Sequence, residues 1–205
     1  MTVSSRHETR TLFVVLLTAA TMGAEIIAGL ATRSMALLAD GIHMGSHVLA
    51  IGLSWIAYVI VRRLSKKGDY RGDTGKILAL SGYSSGLMLL IFALAILFQA
   101  SQRLFDPAVI LYREALIVAM VGLVVNVISA FLLHHEQEEA DHNIRAAYLH
   151  VLADALTSIT AIIGLTAAWV WEIPWIDPVV ALLGSLVIIR WAAGLLKATG
   201  KELLG

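Results

Sequence analysis

Apolar residues fill six long stretches of the chain, and short polar segments separate them. Each stretch has about 20 residues or more, enough for a helix to cross a hydrocarbon core about 30 Å thick. Lipid offers the backbone no hydrogen-bonding partner, so such stretches cross it as α-helices. The pattern predicts an all-α, polytopic membrane protein with six transmembrane helices, at about residues 11–31, 36–61, 77–101, 113–133, 147–171 and 178–196.

Basic side chains are divided unequally between the two sides that six spans would define. The terminal side receives the segment 62–76, which alone holds several lysines and arginines, whereas the opposite side receives Arg33, Arg103 and Arg113. Cytoplasmic loops of membrane proteins carry the excess of Lys and Arg. The sequence therefore predicts that both termini are cytoplasmic. Tryptophans suited to the far membrane interface lie around the fifth-to-sixth connection, namely Trp169, Trp171 and Trp175.

Composition narrows the class of protein further. Apolar residues make up 59% of the chain and charged residues 15%, which is typical of a membrane protein rather than a soluble domain. A formal net charge of zero gives no electrostatic reason to expect nucleic acid as a partner. The chain contains no cysteine, so a metal site would use His, Met or carboxylate ligands. No Walker-type phosphate loop occurs, so an ATP-driven pump is not expected, and we expect no cofactor.

Two predicted spans contain polar residues in matched pairs. His43 and His47 lie in the second span, and His150 and Asp154 lie in the fifth. The i, i+4 spacing places both members of a pair on one face of a helix, about one turn apart. Two such faces turned toward each other would supply three imidazoles and one carboxylate. Zinc and its neighbours commonly take four such ligands.

Other interpretations of these residues remain open from the sequence. A single intramembrane histidine is often a hydrogen-bonded packing residue, although ionisable groups in lipid are costly and usually functional. Histidines on two helices can also ligate haem, so an intramembrane haem- or metal-binding module without transport is the alternative function. An intramembrane metallohydrolase would be an enzyme, but His135-Glu136 lacks the second histidine of an H-E-x-x-H motif. We therefore predict that the protein is not an enzyme.

Two stretches carry a resemblance to a known family. Residues 37–47 (LLADGIHMGSH) and 150–158 (HVLADALTS) are similar to the second and fifth transmembrane helices of the cation diffusion facilitator family, and more narrowly to its DmeF-like divalent-metal efflux branch. Glu25, Asn126 and Asp177 also occupy positions where family members carry similar residues.

This resemblance implies a six-helix transmembrane domain, usually a homodimer, that exports divalent transition-metal ions in exchange for protons. His43, His47, His150 and Asp154 match the family's four transport-site ligands. Three imidazoles and one carboxylate suit Zn²⁺, Co²⁺ and Ni²⁺ alike, so the substrate is expected as this class of ion. A multi-pass protein of the bacterial inner membrane is the expected location.

The chain departs from the family pattern at two points. Many members carry Asp at the position of His47, so a divalent ion here would keep about one unit of excess charge. Asp40, near the same face of the second span, is the candidate for neutralising it from outside the direct ligands. A helix-terminal or interhelical hydrogen bond is the equally weighted alternative for Asp40. Members usually continue into a soluble metal-binding domain, whereas this chain ends at Gly205, so we expect a single transmembrane domain, 1–205, without that domain.

Proton coupling follows from the ligand chemistry. Imidazole binds metal only when it is deprotonated, and its ordinary pKa of about 6.5 lies in the physiological range, so metal and protons compete for the same nitrogens. Glu25 and Asn126 are expected either to line a hydrated route or to bridge helices. His134, His135 and His142 lie around the fourth-to-fifth connection, where they would form either a metal-delivering loop or a merely solvated one.

Small residues indicate close helix contacts. Gly82 and Gly86 form a G-x-x-x-G face in the third span, and Gly41 and Gly45 form another in the second. The first is a candidate dimer contact and the second a candidate close packing of helices. Either pair could equally serve contacts within one chain.

Overall fold

A computed structural model describes the backbone of residues 3–66, 74–134 and 142–204, and the side chains of residues 16–45, 48–49, 52–53, 56–63, 75–131 and 152–204. Within these ranges all regular secondary structure is α-helical, which confirms the predicted fold class. The helices are α1 (Val3–Thr32), α2 (Met35–Lys66), α3 (Thr74–Phe105), α4 (Tyr112–His134), α5 (His142–Val170) and α6 (Ile176–Leu204).

The observed helices are longer than the predicted spans. Five predicted ranges lie wholly within one helix, and the range 147–171 extends one residue beyond the end of α5. Among the described residues, four helical segments are long and apolar enough to cross a membrane, and Leu16–Thr32 is a shorter apolar one. The four segments are Gly75–Phe105, Tyr112–Phe131, Leu152–Val170 and Ile176–Leu204. The number of spans and the side on which the termini lie stay predictions.

Four helices form the bundle that contains the polar core. Helix α1 packs against α2 and α4, and α5 packs against α4 and α2, which closes a ring. Helices α3 and α6 pack against each other, and this pair lies against α2, with α6 also touching α5. The large apolar side chains on the outer faces are exposed, as lipid contact requires, whereas several polar residues are buried inside.

The connection between α1 and α2 is a sharp turn. Arg33 has a φ of 61°, in the left-handed region, and α2 begins two residues later. Ser34 caps α2, because its hydroxyl accepts a hydrogen bond from the backbone N–H of Leu37 at 3.1 Å. At the end of α1 the carbonyl of Thr32 accepts a hydrogen bond from the N–H of Leu111, at 3.0 Å. The turn is thus tied to the segment that leads into α4.

Glycines allow the closest approaches between helices. A Cβ at Gly29 would lie 2.7 Å from the backbone nitrogen of Leu38, so α1 and α2 touch there through their backbones. Gly82 packs against Thr199, and Gly86 packs against Leu196. The G-x-x-x-G face of α3 therefore contacts α6 of the same chain.

Candidate metal site

The structure brings together two of the four predicted metal ligands. His43 of α2 and Asp154 of α5 are each about 2% exposed. The distance from His43 Nε2 to Asp154 Oδ1 is 3.6 Å. An imidazole and a carboxylate from different helices thus meet in the interior of the bundle. A distance of 3.6 Å suits either an ion pair or two ligands that could bind the same cation.

The other two predicted ligands are His47 and His150. The structure describes their backbones but not their side chains. Helices α2 and α5 run in opposite directions. Ala36 of α2 packs in one cluster with Ala161 of α5. His43 lies seven residues later on α2, and it meets Asp154, which lies seven residues earlier on α5. The next turn of α2 carries His47, and the preceding turn of α5 carries His150. Both backbone positions therefore continue in the same direction from the His43–Asp154 contact.

Asp40 lies one turn from His43 on α2 and is 4% exposed. The hydroxyls of Thr157 and Ser158 on α5 lie beside its carboxylate. Among the described residues neither carboxylate oxygen has a donor in ordinary hydrogen-bond geometry, although two hydroxyls of α5 lie close, so an interhelical hydrogen bond stays a prediction for Asp40. The prediction that Asp40 neutralises excess charge from outside the direct ligands is likewise untested.

A cavity of about 190 Å³ reaches this region between α2, α5 and α6. Its polar lining comes from Asp40 and His43 of α2 and from Thr157 and Thr160 of α5, and the remaining lining residues are apolar or glycine. Ala36 and Val180, near the first turns of α2 and α6, mark one end of the cavity. The candidate site is therefore buried in the bundle and bordered by open space.

Helix α6 contributes an aromatic ring that the sequence did not single out. The Trp191 indole packs against the His43 imidazole, with ring centroids 5.3 Å apart and planes inclined by 45°. An aromatic neighbour in this tilted arrangement restricts the rotation of the imidazole. No local pattern marks Trp191, because a tryptophan within an apolar span looks like any lipid-facing or packing residue.

Glu25 and Asn126 are both fully buried in the same bundle. The amide of Asn126 donates a hydrogen bond to the Ser158 hydroxyl at 3.4 Å, which links α4 to α5. The Glu25 carboxylate packs on Gly122 of α4, where a Cβ would collide with its Oε1 atom. Neither oxygen of Glu25 has a hydrogen-bond partner among the residues that the structure describes. Asn126 thus bridges two helices, whereas the role of Glu25 stays a prediction.

Asp177 contacts the start of α2 rather than the predicted metal ligands. Its carboxylate accepts hydrogen bonds from the Ser34 hydroxyl at 2.7 Å and from the backbone N–H groups of Met35 and Ala36 at 2.8 and 3.1 Å. A carboxylate at a helix N-terminus satisfies backbone donors and complements the helix dipole. The first residues of α6 therefore fix the start of α2, the helix that carries His43.

The predicted histidine loop is only partly described. His134 ends α4 and His142 begins α5, but the side chains of both, and all of His135, lie outside the described residues. A role for these three histidines in metal delivery stays a prediction.

The fold and the site together define a class: a polytopic helical membrane protein with an imidazole–carboxylate contact in its core. A family model described as the cation efflux transmembrane domain matches residues 11–204. The chain therefore belongs to the cation efflux family, also called the cation diffusion facilitators, as the resemblance of α2 and α5 indicated. The narrower likeness to the DmeF-like branch stays a prediction.

Curated relatives are longer proteins. The chain is 37% identical over 202 residues to "Zinc transporter ZitB" of Pectobacterium atrosepticum, an alignment that covers 98% of this chain and 62% of the relative. It is 34% identical over 198 residues to the ZitB of Escherichia coli, with 95% and 62% covered. A "Cadmium, cobalt and zinc/H(+)-K(+) antiporter" of Bacillus subtilis is 29% identical over 169 residues, with 81% and 53% covered. The chain thus spans about three fifths of the length of the ZitB proteins.

Proposed function

We propose that this protein exports divalent transition-metal ions from the cytoplasm by proton antiport, through an intramembrane site of His43, His47, His150 and Asp154. The observation that carries the proposal is the buried contact of 3.6 Å between His43 and Asp154, on two helices of one bundle. Burying a histidine and an aspartate together in lipid is costly unless they act on an ion or a proton. The family and the zinc transporter relatives support a divalent metal ion as the substrate.

Metal binding requires neutral imidazoles and an ionised carboxylate. Three imidazoles and one carboxylate complete a tetrahedral shell for Zn²⁺ or Co²⁺, with nitrogen and oxygen at about 2.0–2.2 Å from the metal. The Asp154 carboxylate and His43 imidazole would turn from each other toward the ion. The relatives' names mention zinc, cadmium and cobalt. Nickel rests on the chemistry of the donors alone.

Release follows from competition between metal and protons. When the site faces the more acidic compartment, protonation of the imidazoles expels the metal, and deprotonation on the cytoplasmic side prepares the site again. The cavity lined by Asp40 and His43 supports a release route between α2, α5 and α6. It reaches the first turns of α2 and α6, which the predicted topology assigns to the side opposite the cytoplasm. Alternating exposure by movement of helices would complete the cycle.

Family resemblance also supports a homodimer in the bacterial inner membrane. Subunit contacts would involve surfaces other than Gly82 and Gly86, since both glycines pack on α6 within the chain. The antiporter relative of Bacillus subtilis has both H⁺ and K⁺ in its name, so the identity of the counter-ion belongs among the quantities to measure.

Metal uptake into inside-out proteoliposomes with an acidic lumen tests the proposal. We expect the wild-type chain to accumulate Zn²⁺, with Co²⁺, Ni²⁺ and Mn²⁺ compared in parallel. Uptake should be lost in Asp154→Ala and when the pH gradient is dissipated. Asp106→Ala, which removes an exposed carboxylate between α3 and α4, serves as the matched control.

Two results would contradict the proposal. The first is uptake by Asp154→Ala at the wild-type rate, which would move the transport site elsewhere. The second is stoichiometric metal binding by a correctly inserted wild-type chain that moves no metal under any pH gradient. That second result would favour a metal-binding module without transport.

A further inference from the structure

Two carboxylates in the bundle, those of Glu25 and Asp40, have no partner of opposite charge among the described side chains. Glu25 on α1 is 0% exposed and Asp40 on α2 is 4% exposed. Within the part of the chain that the structure describes, none of their oxygens has a hydrogen-bond partner of ordinary geometry. The charged groups that act on Glu25 are Asp40 and Asp154, which are also acidic. Acidic side chains from three helices thus lie near one another in the protein interior.

The surroundings of Glu25 are shaped to admit its carboxylate. Gly122 on α4 has no side chain, and a Cβ there would collide with Glu25 Oε1. On α2, a Cβ at Gly41 would lie 3.0 Å from the Cβ of Glu25. Two neighbouring helices therefore carry glycine at the points where the Glu25 side chain passes. The carboxylate is held inside the ring of α1, α2, α4 and α5.

An uncharged oxygen completes the set independently of the acidic groups. Asn126 is fully buried one turn beyond Gly122 on the same face of α4. Its amide nitrogen donates a hydrogen bond to Ser158, which fixes the orientation of the group, whereas its Oδ1 has no partner among the described residues. Ser158 also lies beside Asp40.

These groups share one chemistry, because all of them are oxygen acceptors. Burying an ionised carboxylate without compensation is far too costly to be stable, so either a proton or a bound cation must accompany each of Glu25 and Asp40. Carboxylate and amide oxygens are the ligands of hard cations, whereas imidazole nitrogens suit zinc and its neighbours. The oxygen atoms of Glu25, Asp40 and Asn126 therefore prefer a different kind of cation from the adjoining site of His43 and Asp154.

We propose that Glu25, Asp40 and Asn126 form a second cation site, which binds a hard monovalent cation, Na⁺ or K⁺, beside the transition-metal site. Ionised Glu25, Asp40 and Asp154 together carry three negative charges. A divalent ion at the metal site and one monovalent cation at the second site balance them. On the proposed function, the second cation would therefore accompany metal binding rather than compete for the histidines.

Equilibrium binding of radioactive Na⁺ to the purified, metal-free chain in detergent tests this site. A parallel arm uses a radioactive K⁺ analogue, and choline replaces each cation at constant ionic strength. We expect saturable binding of one of the two ions, close to one per chain. Glu25→Gln and Asp40→Asn should each weaken it by roughly tenfold or more, since each removes a charged ligand. Glu114→Gln and Asp106→Asn, which alter exposed carboxylates, should bind like the wild type.

A further variant keeps both acidic side chains. Gly122→Ala should weaken binding because its methyl group displaces the Glu25 carboxylate, whereas Gly23→Ala, with nothing within 4 Å of the new Cβ, should not. Circular dichroism and gel filtration check that each variant is folded. If an acidic variant fails to fold, Gly122→Ala against Gly23→Ala decides the question.

The proposal is overturned if neither Na⁺ nor K⁺ binds saturably across neutral and mildly alkaline pH, which would leave protons as the only occupants. Binding that Gly122→Ala and the two acidic variants leave unchanged would overturn it as well. The assay needs no transition metal and no transport. Its failure is therefore distinguishable from a failure of the metal/proton antiport described above.

Discussion

The contact between Asp177 and the start of α2 yields a quantitative prediction. The carboxylate is 1% exposed and accepts three hydrogen bonds, two of them from backbone N–H groups. Hydrogen bonds to charged groups contribute about 1.5–3 kcal/mol each, and an unsatisfied buried donor costs about 1–3 kcal/mol. The contributions are coupled and do not add fully. We therefore expect Asp177→Ala to lower the free energy of unfolding by about 3–5 kcal/mol.

Less severe variants should give smaller effects. Asp177→Asn keeps one carbonyl oxygen as an acceptor, so it should cost about half as much as Asp177→Ala. Ser34→Ala removes one cap but leaves the two backbone bonds to Asp177, and it should cost about 1 kcal/mol. Because α2 carries His43, we also expect weaker metal binding by Asp177→Ala.

Thermal unfolding in detergent, followed by tryptophan fluorescence, provides the measurement. Asp106→Ala is the control, since its carboxylate is exposed and its backbone N–H bonds to the Gln102 carbonyl regardless of the side chain. The expected order of stability is wild type and Asp106→Ala, then Ser34→Ala, Asp177→Asn and Asp177→Ala. An Asp177→Ala protein as stable as the wild type would refute the capping role.

Further predictions concern helix packing, the aromatic neighbour and pH. Gly29→Ala should destabilise the protein by about 1–3 kcal/mol, because the new Cβ meets the backbone of Leu38 at 2.7 Å, whereas Gly23→Ala should be neutral in the same unfolding assay. Trp191→Ala should weaken metal binding, measured by calorimetry, because the His43 imidazole loses the neighbour that restrains it, and Trp191→Phe should keep most of the affinity. Equal affinity in the wild type and both variants would exclude a role of Trp191 in orienting His43. Metal uptake at fixed pH gradient should fall as cytoplasmic pH drops through the range in which imidazole is protonated, and a flat profile would argue against histidine ligands.

The helices were predictable because lipid imposes a simple rule on the backbone. An apolar stretch long enough to cross the bilayer must form all its hydrogen bonds internally, so its conformation follows from its length. The ends were less predictable, as α2 continues to Lys66 and α6 to Leu204. Hydropathy identifies the part of a helix that suits hydrocarbon, whereas the hydrogen-bonded helix continues through polar residues that suit water.

The ligand pairs were visible within the sequence because each lies on one helix. The i, i+4 spacing fixes the geometry of His43 with His47 and of His150 with Asp154 before any tertiary structure is known. Their approach across helices was an expectation, and the contact of His43 with Asp154 agrees with it. Histidine and aspartate are costly to bury in lipid when they are separate, and this cost was the signal that they would meet.

Contacts between distant parts of the chain had no such local signal. Asp177 caps a helix that begins about 140 residues earlier, and its likeness to family members said nothing of that partner. Trp191 meets His43 across two helices. Both contacts depend on how α6 packs against α2, and the periodicity of a uniformly apolar helix does not specify which face turns inward.

The proposed transport site requires four side chains to bind one transition-metal ion. Titration of the purified protein with Co²⁺, followed by its visible absorption, tests this directly, since a four-coordinate tetrahedral site gives intense bands that hydrated Co²⁺ lacks. We expect a tetrahedral spectrum that saturates at one high-affinity ion per chain and is lost in each of four variants, His43→Ala, His47→Ala, His150→Ala and Asp154→Ala. An unchanged spectrum and affinity in His47→Ala or His150→Ala would contradict it.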